Sequence, residues 1–383
     1  MTRWFMLITI LLIIGLIGGG APALAQEDTT LDIIPIASGR FVHVRLSPDG
    51  NFLATYENSI FIDNEVFAEL LPITVVDLSS NEPVTTQFTG HTDYVRGLAF
   101  TSDNSKLISL HTNGDLNVWD VAAGTLEKTI LTGLLSPGPL PLHLLSDDST
   151  IVIPGAGFNV PLLQLWDTST GHMTHILTQH FDTFVEFDER ARNGPPNNLS
   201  AYATSPVDDR VVGVMANTNI WLWDGQTGEG VLAFETFIEP RFNIRRVIFS
   251  NNGEQILFHN RETEQVHIWD INTIDEIATL PINTPAFDVL ADDSVVWMNE
   301  DGKSFSLMRI DALGDVTTIA LSDLLSNRNV DALLNVTFDD LMADTRAQQN
   351  LRLFEAAANR IVIGGIVNEE DNTNFIAVVT LDS

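Results

Sequence analysis

The sequence predicts an all-β fold of seven four-stranded units, and three observations carry that prediction. A β-rich run ending in an aromatic or aliphatic residue plus Asp recurs seven times. A polar turn between two apolar strands recurs in phase ahead of it. With two insertions set aside, the spacing matches the roughly 40–45 residues of a four-stranded repeat.

The clearest copies of the first element are Asn117-Val118-Trp119-Asp120, Gln164-Leu165-Trp166-Asp167, Trp221-Leu222-Trp223-Asp224 and His267-Ile268-Trp269-Asp270. Weaker copies end at Val76-Asp77, Ile310-Asp311 and Leu381-Asp382. The seven ends lie 43, 47, 57, 46, 41 and 71 residues apart. Taking out Phe181 to Asn198 shortens the third gap to 39, and taking out Leu321 to Gln349 shortens the last to 42. The turns are Ser47-Pro48-Asp49-Gly50, Ser102-Asp103-Asn104, Ser146-Asp147-Asp148-Ser149, Pro206-Val207-Asp208-Asp209, Asn251-Asn252-Gly253 and Asp292-Asp293-Ser294. Asp, Asn, Gly and Pro form tight turns without strain, so hairpins are expected at each.

Gly90-His91 through Leu107-Ile108-Ser109, Asn113-Gly114 and Val118-Trp119-Asp120 resembles a nearly complete WD40 repeat. The resemblance implies a seven-bladed β-propeller of four-stranded antiparallel blades over residues 26–383, and a structural tetrad inside the blade. Matched residue by residue, His91, Ser109 and Trp119 fit that tetrad. Asn113 stands where the family has Asp, which weakens the charged link to the histidine. No other repeat has the Gly-His pair ahead of its first strand, although Gln179-His180 is a near miss. Such residues stabilise a blade and catalyse nothing.

The last Asp lies one residue from the end of the sequence, so the seventh blade has three strands there, at about 350–354, 360–366 and 375–381. Leu31 to Ile36 is an apolar strand with no other partner. It is expected to supply the missing outer strand and close the ring. Pro35 is acceptable there because an outermost strand has a free edge. The a–b and c–d turns, on one face, are short. The long connections are Glu57 to Pro72, Pro154 to Pro161, Phe181 to Asn198 and Leu321 to Gln349, and all fall on the opposite face. Binding surfaces are usually built from such loops.

The first 25 residues read as a signal peptide. Arg3 is followed by an apolar run from Trp4 to Ile17, a glycine break, and Ala23-Leu24-Ala25 as cleavage site. An uncleaved anchor is the rival reading, although the run is shorter than the ~20 residues a spanning helix needs. The chain is therefore expected to be exported. It has no Cys, so neither disulfides nor thiolate metal sites enter. Its formal charge of −32, from 19 Lys+Arg against 51 Asp+Glu, argues against nucleic acid and anionic lipid as partners. The acidity reads as solubility outside the cell.

No catalytic pattern emerges. There is no Gly-x-Ser-x-Gly elbow. His172 and His175, three apart in an expected strand, should point to opposite faces and share no metal. The Asp pairs at 147/148, 208/209 and 292/293 recur at one structural position and read as turn formers. Gly155-Ala156-Gly157 has no helix to follow and is no phosphate loop. Asn368 to Asn372 reads as a solvated turn rather than a weak Ca²⁺ loop. The insertion at 181–198 mixes Phe181, Phe184 and Phe187 with Arg190 and Arg192, which makes these the candidate partner contacts; its segment 184–189 could instead be a strand a. Thr337 to Met342 resembles a capped helix start. The expectation is a non-catalytic monomeric scaffold, without metal or cofactor, that takes a protein or peptide on its long-loop face. The alternative is a propeller hydrolase or lyase acting on glycan or peptide, and convergent His and carboxylates at the channel mouth would favour it.

Overall fold

The computed structural model describes residues 30–36, 41–58, 60–62, 65–67, 70–80, 83–134, 141–154, 163–177, 199–215, 219–235, 244–260, 263–299, 304–320, 353–368 and 373–381. The expected signal peptide and the insertions at 181–198 and 321–349 lie outside them.

The strands are β1 (Thr30–Ile36), then blade one, with β2 (Phe41–Leu46), β3 (Phe52–Asn58), β6 (Ile73–Asp77) and β7 (Val84–Phe88). A separate ribbon, β4 (Ile60–Ile62) with β5 (Glu65–Phe67), occupies its b–c connection. Blade two is β8 (Val95–Phe100), β9 (Lys106–His111), β10 (Asp115–Asp120) and β11 (Thr125–Leu131). Blade three is β12 (His143–Leu144), β13 (Thr150–Pro154), β14 (Leu163–Asp167) and β15 (His172–Leu177). Blade four is β16 (Leu199–Thr204), β17 (Arg210–Met215), β18 (Asn219–Asp224) and β19 (Gly230–Glu235). Blade five is β20 (Ile244–Phe249), β21 (Gln255–Asn260), β22 (Gln265–Asp270) and β23 (Glu276–Leu280). Blade six is β24 (Phe287–Val289), β25 (Ser294–Met298), β26 (Ser304–Arg309) and β27 (Thr317–Ala320). Blade seven is β28 (Leu353–Ala357), β29 (Arg360–Asn368), β30 (Thr373–Thr380) and, as its outer strand, β1.

The closure expected from the sequence is present. β1 pairs antiparallel with β30 from Thr30↔Thr380 to Ile36↔Asn374, and Pro35 sits opposite Phe375 on the outer edge. The first strand of blade seven begins at Leu353, three residues later than the sequence reading placed its start. Strand a of blade four is Leu199–Thr204, so the segment 184–189 is not that strand, and the insertion at 181–198 joins strand d of blade three to strand a of blade four.

The core lies in layers between blades rather than within any one of them. Phe88, Ile73 and Val75 of blade one pack on Leu98, Leu107 and Trp119 of blade two. Leu165 and Leu177 of blade three meet Tyr202 and Trp223 of blade four in the same way. A strand inside a blade is therefore covered on both faces, as in β9, where Leu107 to His111 are all buried. Outer strands alternate, as in β11, with one side towards solvent.

The four Trp-Asp blades share a second device. A β-bulge interrupts the pairing of strands c and d immediately before the Trp, between Val118 and Trp119, Leu165 and Trp166, Leu222 and Trp223, and Ile268 and Trp269. The other three blades pair c with d without a shift. In the bulged blades the Asp carboxylate caps the following turn, as Asp120 does for Ala123 N at 2.8 Å and Asp270 for Asn272 N at 2.8 Å. The turn closes on a left-handed residue, Gly124, Gly171 and Gly228 at φ 66°, 74° and 75°, but Ile274 at φ 63° in blade five. A β-branched side chain is strained there by about 1–2 kcal/mol.

Replacing Ile274 with Gly should therefore raise stability by about 1 kcal/mol, read as a higher denaturant midpoint at unchanged slope. Deleting residues 30–36 exposes the edge of β30 and should lower the thermal midpoint sharply and promote aggregation. A deletion variant that melts like the parent would show that β1 does not close the ring.

Candidate functional site

In blade two the sequence-predicted tetrad is brought together only in part. Trp119 Nε1 donates to Ser109 Oγ at 2.9 Å. The histidine on Ser109 Oγ is His111, whose Nε2 lies 2.8 Å away, and not His91. Ser109 and His111 are two apart on β9, so they share a face and meet without any loop having to position them. His91 instead lies beside this chain, edge-on to Trp119 at 6.1 Å and 5.3 Å from the His111 ring. The far end of the chain is the Asp93 carbonyl oxygen, 2.9 Å from His111 Nδ1. Asn113 takes no part. Its side chain closes its own turn, donating to Asp115 Oδ2 at 2.7 Å and accepting from Asp115 N at 3.0 Å.

The recurring Asp pairs divide their work. The first member caps its own turn: Asp147 accepts from Ser149 N, Asp208 from Arg210 N, and Asp292 from Ser294 N, at 2.8–3.1 Å. The second member reaches the preceding blade. Asp148 accepts from Ser102 N at 2.7 Å, Asp209 from Ser146 Oγ at 2.7 Å, and Asp293 from Asn251 N at 2.9 Å. Other groups serve the remaining junctions. Asn104 bonds Asp49, Arg210 Nη2 donates to Gly253 O at 2.7 Å, Ala291 N donates to Ala358 O at 2.9 Å, and Arg360 Nη2 donates to Leu78 O at 2.8 Å. A girdle of side chains and backbone thus crosses all seven blade junctions on the short-turn face.

The seven innermost strands touch in a closed cycle around the axis. An innermost strand is an open edge, and its unpaired N–H groups need acceptors. Asp288 on β24 accepts Ala356 N of blade seven at 3.0 Å and Arg246 Nη2 of blade five at 2.7 Å. Glu355 on β28 repeats the arrangement, accepting Leu46 N of blade one at 3.0 Å with Arg45 Nη1 at 3.5 Å. Arg45 also donates to Leu142 O of blade three at 3.4 Å. His143 is half-buried close to Arg45 and Arg246, with its ring edge-on to Tyr202 at 5.0 Å. Sequence reading missed this cluster because its members come from five blades. The available signal was an ionisable residue among the last three residues of the innermost strand, as at Arg45, His143, Asp288 and Glu355 in blades one, three, six and seven.

On the opposite face, the connection at 281–283 meets Trp297, Asn299 and Ser304 of blade six around a cavity of about 390 Å³. The residues expected to contact a partner, Phe181, Phe184, Phe187, Arg190 and Arg192, lie outside the described residues. His172 and His175 are not on opposite faces: a bulge at Thr174 sets them opposite Asp167 and Leu165, which share one face of β14. Among the described residues no group of three or more His, Asp or Glu is placed to hold a metal ion. Gly155 to Gly157 lie outside the described residues, and of Asn368 to Asn372 only Asn368, the end of β29, is described.

No family model matches the sequence, and no curated protein matches it. Among solved structures the chain is similar to the WD40 beta propeller domain of Doa1. That likeness covers 93% of this chain and 98% of the other, at 11% identity and a TM-score of 0.55. The protein therefore has the seven-bladed, four-stranded fold of a WD40 propeller.

Burial pushes the His43 and His111 imidazoles down to about 4, and Arg96 adds to the effect at His43. Burial, reinforced by Arg45 and Arg246, holds His143 well below the ordinary range. Unfolded, these groups titrate near 6.5. The unfolded chain thus binds more protons between about pH 6.5 and 4, and stability falls as pH falls through that window. Glu355 acts in the opposite sense. Burial raises its value against the pull of Arg45, so its share of stability grows on acidification. Three imidazoles outweigh one carboxyl, and the net effect expected is acid destabilisation. His43→Phe keeps a ring stacked on Tyr56 and should flatten the acid limb by up to about 1.4 kcal/mol per pH unit, in denaturant midpoints taken across pH. An unchanged slope would refute the assignment.

Proposed function

We propose that this protein is an exported, non-catalytic binding scaffold that takes a protein or peptide partner on the face of its b–c and d–a connections. The observation that carries the reading is the inequality of the two faces. The a–b turns of the short-turn face are engaged with one another across every blade junction, so their polar groups are already committed. The other face bears the long connections, among them the β4–β5 ribbon and the connection from β15 to β16. Irregular loops on a rigid repeat scaffold are the usual place for recognition. The apolar run at 4–17 and Ala23-Leu24-Ala25 support export.

Catalysis at the channel is the weaker reading, although His143, Asp288 and Glu355 do converge there. Both carboxylates are occupied by backbone N–H groups of the next blade and by Arg side chains. A general acid or base must be able to exchange its proton with a substrate.

Replacing 181–198 with a short linker should abolish capture of a partner from the producing cell's surface while the thermal midpoint moves little. Capture that survives the deletion would place the partner surface elsewhere or remove the reading altogether.

A further inference from the structure

The outer strand of each blade has one edge with no strand beyond it among the described residues. The backbone groups of such an edge can pair with another chain, and proteins guard against that with charge, Pro, bulges or shortness. Six of the seven outer strands here carry a guard. β11, β15, β19 and β23 each face a bulge in strand c. β1 holds Asp32 and Pro35, and β27 has only four residues. β7 has none of these devices. Val84-Thr85-Thr86-Gln87-Phe88 pairs with β6 without a shift, and Pro83 precedes the strand rather than interrupting it. Val84 is 61% exposed, and Thr85, Thr86 and Gln87 are exposed with it. Phe88 is buried against blade two and pins the end of the strand.

The residues of β7 favour one occupant. An edge strand is complementary to itself in the antiparallel sense. Two copies related by a two-fold axis through Thr86 set Val84 opposite Phe88, Thr85 opposite Gln87, and Thr86 opposite Thr86. Cross-strand pairs of β-branched, aromatic and hydroxyl side chains are favourable, and no charge opposes its like. The formal charge of −32 repels a second copy at long range, so copies can meet only where the contact adds no local repulsion. Among the outer strands, only β7 and the four-residue β27 contain no ionisable residue.

We propose that β7 is a dimerisation edge, to which a second copy of this chain adds its own β7 antiparallel, joining two first blades into one sheet. The edge is separate from the long-loop face, so its failure would leave the binding-scaffold reading untouched. A five-residue pairing falls short of the ~1,600 Å² of a standard interface, so the dimer is weak and reversible. Salt screens the repulsion between copies and strengthens the dimer, the reverse of an association built on ion pairs. The test is sedimentation equilibrium of the protein at about 0.05 M and about 0.5 M salt. A dimer should appear with Kd below about 200 µM at the higher salt and at least about threefold weaker at the lower. Thr85→Lys combined with Gln87→Lys should weaken it at least about tenfold, with the thermal midpoint unchanged. Those lysines reduce the net negative charge, so the loss cannot come from greater repulsion between whole molecules. Thr86→Cys, in a chain with no other Cys, should form a disulfide-linked dimer on oxidation, and Met173→Cys, exposed on β15, should not. A monomer at every concentration and salt leaves the edge to a strand of another protein and overturns the proposal. A dimer that survives the paired lysines, or Met173→Cys crosslinking as readily as Thr86→Cys, would overturn it equally.

Discussion

Everything in this fold depends on closing a ring whose two ends are far apart in sequence. A blade alone leaves both sheet faces apolar, and only its neighbours can cover them. Seven blades satisfy one another only if the last meets the first. Two separate interactions achieve that: β1 completes the outer edge of blade seven by pairing with β30, and Glu355 bridges to Arg45 and Leu46 N on the inside. Arg360 adds a third tie, from the a–b turn of blade seven to Leu78 of blade one. The seam is thus held at its outer strand, its inner strand and its turns.

The same logic explains where charge has gone. Innermost strands cannot use a further strand to pair their edges, so side chains from adjacent blades supply acceptors, at the cost of burying ionisable groups. Asp288 and Glu355 do this in succession, each accepting the N–H of the following blade and each partnered by an Arg. On the short-turn face, the left-handed turn residues Asp148 and Asp293 serve a neighbour as well as their own hairpin. Function is therefore sought on the remaining face, where the connections are long.

Much of the ring was legible because its signals are local and periodic. Trp119-Asp120 and its copies mark strand c, and the Asp-rich turns mark the hairpins between strands a and b. The lone apolar strand before blade one implied its own partner. What failed, failed for local reasons that periodicity cannot see. A bulge at Thr174 reversed the expected facing of His172 and His175. His111, two residues from Ser109, displaced His91 from the hydrogen-bonded chain because strand geometry outcompetes a loop for the same oxygen.

By itself the sequence determined the repeat, the number of blades, the strand that closes them and the face carrying the irregular connections. Each of these follows from spacing along one chain. Only the tertiary structure decided which side chains meet across blades. Arg45, His143, Arg246, Asp288 and Glu355 come from five separate repeats, and the cavity beside Trp297 is shared between two. Contacts of that kind depend on the rotation from one blade to the next, and no sequence interval encodes that rotation.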